Sequence, residues 1–423
     1  MFTSLEKKIL TILAFVQFNH IVDFMIIMPM ATQLMRLFSI EAQQFSLLVS
    51  SYTFFAGISG FLASFYMDRF DRKKSLILLF AGFTLATIFC GVARDYHTLL
   101  IARSMTGFFG GVMNSIILSI TSDLIDYKRR GMAMGFLATA FSAASILGVP
   151  FSIFLSQSLS WYSPFIFLAA LCLIILVGIY RYVPSINKHL KPDVPEMKHV
   201  PKVTFWQPVI SVLQSPVQRT SLIFMFFVMF SHFCIIPFIA TSQVVNAGLS
   251  EQQLTLIYLI GGICSFFSAP LVGRMSDRYG KAKVYMYSIL FSIIPIFLVT
   301  HQGKDNIWVV LIVAGLFFIS AGSRMIPAQA LVSGAVSSQH RGAFMSLLSC
   351  LQSLAMAAGS YIAGMIVSID PKDGRLLNYP AVGYMAIGLG LFTLVILQKL
   401  KYLDQPTATD HEAMVEAEVQ GQI

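Results

Sequence analysis

The sequence predicts an all-α membrane protein, with twelve transmembrane helices arranged as two pseudo-symmetric six-helix bundles. Three observations carry that prediction. Of 423 residues, 56% are hydrophobic and only 12% charged, with a mean hydropathy of +0.75. Soluble domains carry about 25% charged residues. With the N-terminus placed inside, 22 of the 29 Lys and Arg residues fall on one face of the membrane. Finally, the second half of the chain repeats features of the first at an offset of 209 residues.

The apolar runs fall near 9–31, 44–66, 75–93, 98–122, 132–156, 164–180, 220–244, 252–273, 284–300, 307–330, 343–368 and 379–398. Each is near the ~20 residues that cross ~30 Å of hydrocarbon. The first follows Lys7 and Lys8, contains polar groups and lacks a small-residue cleavage site, so it reads as a retained helix. Only Arg36, Arg94, Lys304, Lys372 and Arg375 lie on the opposite face, and only Arg103 and Arg324 lie inside helices. This bias predicts a multi-pass protein of the cytoplasmic (inner) membrane with both termini in the cytoplasm. The pI of about 9.3 therefore points to loops beside anionic lipid, not to nucleic acid. The five cysteines lie in apolar runs without CxxC spacing, so neither disulfides nor a metal site is expected. No phosphate-binding loop is present, no cofactor is implied, and the loops hold no arrangement that suggests an enzyme.

The domain reading is 1–183 for the first bundle, 184–218 for a cytoplasmic linker, 219–400 for the second bundle and 401–423 for an acidic, solvated tail. The linker holds Pro184, Pro192, Pro195 and Pro201, which argues against a folded domain. Within it, Phe205, Trp206, Val209, Ile210 and Leu213 recur at helical spacing, as an interfacial helix or a lead-in to the seventh span would. The repeat is most visible in DRFDRKK at Asp68–Lys74 and DRYGKAK at Asp277–Lys283. At the same offset, Ile26-Ile27 and Ala31-Thr32 match Ile235-Ile236 and Ala240-Thr241. Parallel repeats of this kind build transporters whose substrate site lies between the halves at mid-membrane.

These motifs resemble those of the major facilitator superfamily. The loop after the second span is similar to the family pattern in Asp68, Arg69, Arg72 and Lys73, although Ser64 and Asp71 stand where the pattern has glycine. The loop after the eighth span fits better, with Gly273, Asp277, Arg278 and Gly280. The resemblance implies that these loops gate the cytoplasmic side. LIARSMTG at Leu100–Gly107, SILGVP at Ser145–Pro150 and Asp23 with Pro29 are similar to elements of the drug/proton antiporter branch. They imply a buried arginine at Arg103 and a helix-five motif at Gly148 and Pro150. The valine between that glycine and proline, and Ala144 in place of an earlier glycine, depart from the branch pattern and weaken the inference to exchange direction.

Asn19, His20 and Asp23 stand three and four residues apart, hence on one helical face. By helical rise, Asp23 lies ~21 Å from the cytoplasmic start of its helix and Arg103 ~8 Å below the outer surface, so the two can meet. Ionisable groups at such depth face a cavity or a partner. The functional reading is a proton-coupling pair, Asp23 and Arg103, supported by His20 and by His232, which occupies the repeat position of Asp23. Protonation from outside would release the arginine. The alternative is a static salt bridge. Asn19, Phe24, Met28, Phe54, Phe141, Phe227, Phe230, Tyr258, Arg324 and Gln329 are expected to line the substrate cavity. The function expected is export of a small amphipathic or hydrophobic compound by proton antiport (multidrug efflux), by a monomer whose partners are substrate, protons and lipid. The alternative is a facilitator or proton-coupled carrier of a polar metabolite such as a sugar.

Overall fold

The computed structural model describes residues 2–66, 70–187, 207–334, 341–372 and 374–403. Among them are twelve helices long and apolar enough to cross a membrane. Spans 1 to 6 are Ser4–Ile26, Ala42–Ala63, Arg72–Val92, Tyr96–Leu124, Met132–Ser158 and Ser163–Tyr182. Spans 7 to 12 are Pro216–Val245, Glu251–Tyr279, Lys281–His301, Ile307–Ser333, Phe344–Ile366 and Tyr379–Leu400. The expected Asp68 and Arg69, together with Phe205, Trp206 and the tail from residue 404, lie outside the described residues.

Local chemistry moves several boundaries. Span 1 starts at Ser4, earlier than the apolar run, because Thr3 and Glu6 form a reciprocal capping box. It stops at Ile26, since Pro29 cannot donate to a continuing helix. A separate short helix, Ala31–Phe38, follows where the sequence reading had only the tail of the span and a loop. In span 5 an extra residue is absorbed as a π-turn over Ala144–Gly148, just ahead of the buried Pro150. A Cβ at Gly148 would come within 2.2 Å of Val22, so the missing side chain lets spans 5 and 1 touch. Across the bundle boundary, a Cβ at Gly262 of span 8 would fall 2.8 Å from Ile146 in the same π-turn. The linker contributes the helix Gln207–Gln214, with Val212 fully buried and Ile210 and Leu213 about half exposed. A two-stranded antiparallel ladder (Ser368 opposite Leu377, Ile369 opposite Leu376) is the one departure from helix among the described residues in regular structure.

The cores show how the bundles meet. Toward the face where span 1 begins and span 12 ends, called here the basic face, the first bundle keeps its own cluster (Leu13, Val16, Phe80, Phe83, Ile117). The second does likewise (Leu222, Phe224, Tyr285, Phe344). Toward the opposite, far face a single cluster draws on both halves, joining Ile26, Phe45, Leu48 and Leu99 to Phe233, Phe238, Val313 and Tyr379. The halves are thus sealed together at the far face and packed separately at the basic one. Polar contacts across the far-face seam include Arg36 to Glu251 at 3.8 Å, and the Gln157 amide donating to the Glu251 carbonyl at 2.6 Å. An exposed ion pair contributes at most about 1 kcal/mol, so apolar burial holds this seam.

Span 2 packs along span 11, and a Cβ at Gly57 would lie 3.1 Å from the Cβ of Ser353. A disulfide needs roughly 3.5–4.5 Å there. In a background without the five native cysteines, G57C/S353C is expected to cross-link on mild oxidation. After proteolysis at a site inserted into the linker, the two halves should migrate as one band. Two bands would show that spans 2 and 11 do not pack this way.

Candidate functional site

The first polar centre is built by spans 1, 2 and 4. A Cβ at Gly107 would collide with the Tyr52 carbonyl at 2.2 Å, so the absent side chain lets span 4 ride directly on span 2. That approach carries Arg103 to span 1, where its Nη1 donates to Asp23 Oδ2 at 2.9 Å and to the Asp23 carbonyl at 3.0 Å. Both side chains are completely buried. The guanidinium lies over the Tyr52 ring, 4.5 Å from its centroid, a cation–π contact strengthened by the lack of water. Much hydrogen-bonding capacity is left over. Asp23 Oδ1, Arg103 Nε and Nη2, the Tyr52 hydroxyl and both His20 ring nitrogens are buried without partners.

Other expected residues fall elsewhere. Asn19 shares the helix with Asp23 but turns away from it, donating to the Leu168 carbonyl at 3.1 Å and to Cys172 Sγ at 2.7 Å, so it ties span 1 to span 6 instead of lining a cavity. His20 faces Tyr52 and Phe83. Phe54 is exposed and meets Phe55 edge-on, outside the cavity lining. Phe227 packs with Phe392, and Phe230 stacks on Phe226. Gln329 is exposed. The expected access of Asp23 to water from outside is absent in this conformation, because the far-face cluster covers it.

The second centre is a cavity of about 340 Å³ between the bundles. Spans 1 and 5 contribute Met25, Met28, Phe141, Ser142 and Ser145; spans 7, 8 and 10 contribute His232, Tyr258, Phe317 and Met325 among others. Of the expected residues, Met28, Phe141, Tyr258 and His232 line it; Phe24 does not, because it packs on Tyr52 and Phe233, and Arg324 does not, because it stands behind His232. The His232 ring lies parallel to Phe317, and Nη2 of Arg324 approaches its Nδ1 at 3.0 Å. Aromatic contacts run from one centre to the other. Tyr52 meets Phe24 at 5.2 Å, Phe24 meets Phe233 of the other bundle at 6.1 Å, and Phe233 adjoins His232. Sequence reasoning missed Tyr52, Ser142 and Ser145. No spacing marks Tyr52; only the glycine that lets span 4 settle on it hints at the contact.

At the basic face, Asp71 caps span 3, accepting from the amides of Lys73 and Lys74 at 2.8 and 3.2 Å. It also accepts from the Ser185 hydroxyl at the start of the linker. Partial desolvation works to raise its pKa, but these hydrogen bonds outweigh it and hold the carboxyl below its ordinary range. Arg72 Nε reaches Asp123 at 3.4 Å and Lys73 Nζ reaches the Tyr180 carbonyl at 2.9 Å, so these two bases are engaged within the first bundle. In the second copy Asp277 and Arg278 are exposed, Gly273 has open space around it, and Gly280 ends span 8 at φ +91°.

Two six-helix bundles that enclose a cavity between them, closed toward one face, have the architecture of a membrane transporter. The family model of the Major Facilitator Superfamily matches residues 13–241 and 221–419, and the chain belongs to that superfamily. It is 25% identical over 296 residues to a probable sugar efflux transporter of Helicobacter pylori (strain P12), covering 69% of this chain and 71% of that one. It is 24% identical over 372 residues to the multidrug resistance protein fnx1 of Schizosaccharomyces pombe (strain 972), covering 78% and 68%. Among solved structures, a mutant form of the nucleoside transporter NupG superposes with a TM-score of 0.72 at 14% identity, covering 95% of this chain and all of that one.

Removing one member of a buried ion pair strands the other and costs about 3–5 kcal/mol, whereas replacing both with apolar groups is far milder. Arg103→Met is therefore expected to lower the melting temperature in detergent more than the double variant Asp23→Leu/Arg103→Met. Tyr52→Phe, which deletes an unpartnered hydroxyl but keeps the ring, should leave it unchanged or raised. Equal losses in the single and double variants would mean that the pair is not coupled.

Proposed function

We propose that the protein is a proton-coupled exporter of small amphipathic compounds, working by alternating access with the basic face in the cytoplasm. The observation that carries this reading is the Asp23–Arg103 pair, buried ionisable groups with unmet hydrogen-bonding capacity, joined by ring contacts to the cavity wall. A carboxylate in such a place can trade its guanidinium for a proton. Once Asp23 is neutral, Arg103 loses its counter-charge and the packing of span 4 on span 1 is weakened. Water reaches the pair from the far side only when the shared far-face core separates, which ties proton entry to the outward state.

Transfer of one charge across the potential is worth about 2.3 kcal/mol per 100 mV, enough for more than tenfold accumulation per proton. The orientation is supported by the placement of the bases. Efflux is supported by the names of relatives, a probable sugar efflux transporter and a multidrug resistance protein. Those two names differ over substrate. The cavity lining, which mixes Met and Phe with a few serines, favours an amphipathic compound over a sugar.

Asp23→Asn should insert and bind substrate but lose proton-driven exchange. In proteoliposomes with an imposed pH gradient, the variant is expected to show only downhill substrate movement, at a rate insensitive to an uncoupler. Gradient-driven accumulation at the wild-type rate would remove Asp23 from the coupling.

A further inference from the structure

Arg324, like Arg103, is a cation buried in the interior of a span, and its surroundings differ from those of Arg103. It is 3% exposed in span 10, and among the described residues its hydrogen-bond partner is His232. A guanidinium only donates, so the imidazole Nδ1 at 3.0 Å is the acceptor and the ring hydrogen of a neutral His232 sits on Nε2. No carboxylate among the described residues balances the charge. Glu251 and Asp277 belong to the terminal turns of span 8, and Asp305 and Asp370 to loops at the far face. Spans 7 and 9 to 12 contain neither Asp nor Glu. Arg103 has Asp23 at 2.9 Å; Arg324 has a neutral ring. An unbalanced cation at this depth is costly, and His232 stands between Arg324 and the cavity, of which Arg324 is not itself a lining residue. His232 lines that cavity, as do Gly322, Met325 and Ile326 on the same stretch of span 10, and no lining residue is acidic.

We infer that the cavity takes an amphipathic organic anion, its apolar body among Phe141, Ile236 and Phe318 and its carboxylate-type head on the Arg324–His232 dyad. The inference rests on reading this cavity as the substrate site and adds the substrate's charge to it. Arg324 supplies the charge from behind His232, and the His232 Nε2–H is the donor to the head. A hydrogen bond to a charged group is worth about 1.5–3 kcal/mol, which corresponds to a preference of about tenfold or more for the anion over a neutral isostere.

The test uses three probes that share one ring system, 1-naphthaleneacetate, 1-naphthaleneacetamide and 1-naphthylmethylammonium, titrated calorimetrically into the full-length protein in nanodiscs. Wild type should bind the acetate at least tenfold more tightly than the amide or the ammonium. Arg324→Gln should erase that preference by weakening the acetate alone, and Arg324→Lys should retain part of it. If Arg324→Gln does not fold, the wild-type ranking and Arg324→Lys still decide. Equal binding of the three probes, tighter binding of the ammonium, binding by none, or a preference that survives in Arg324→Gln overturns the inference. Proton-gradient-driven transport of the amide or ammonium without any anion preference would refute this inference and leave the coupling reading intact. An anion preference without gradient-driven transport would do the reverse.

Discussion

A carboxylate and a guanidinium that both lack a path to water have little choice but each other. Desolvation of either one alone would cost several kcal/mol, so the contact at 2.9 Å between Asp23 and Arg103 constrains everything around it. Span 4 must run close enough to span 1 to make the bond, which in turn demands the bare backbone at Gly107 against span 2. Tyr52 then finds itself under the cation, Phe24 beside Tyr52, and Phe233 of the other bundle beside Phe24. Geometry set by one ion pair thus extends through ring contacts as far as the wall of the central cavity.

The two polar centres are not copies of one another, although the repeat places His232 where Asp23 stands in the first half. One centre is an ion pair with no net charge, closed off and short of hydrogen-bond partners. The other is a cation and a neutral ring at the edge of a space large enough for a small molecule. In the proposed exchange, the first centre would take the proton and the second the substrate.

The architecture was legible in the sequence because bilayer thickness fixes helix length and loop bases mark one face, and both are local properties of the chain. The Asp23–Arg103 contact was legible for a related reason, since charge at membrane depth has to be resolved nearby. Side-chain direction was not legible. Asn19 and Asp23 share a helical face by spacing, yet the bond from Asn19 to Leu168 and Cys172 turns it into a structural tie. Phe54, Phe227 and Phe230 sit at the right depth but answer to neighbouring rings. The short helix after span 1 escaped notice because the proline break lies inside a continuous apolar run. Ser145, at the cavity wall, lies within the π-turn of span 5, a backbone irregularity that hydrophobic periodicity does not encode.

That π-turn also bears on how the halves swivel. It rests on the bare backbone of Gly262, with Ile146 as the nearest side chain between them, and no hydrogen bond crosses the contact among the described residues. A joint made of hydrocarbon against glycine has nothing directional to break when its angle changes. In the proposed alternating-access cycle it would serve as a greased bearing, leaving the resistance to the far-face core, which would have to part and re-form on each turn.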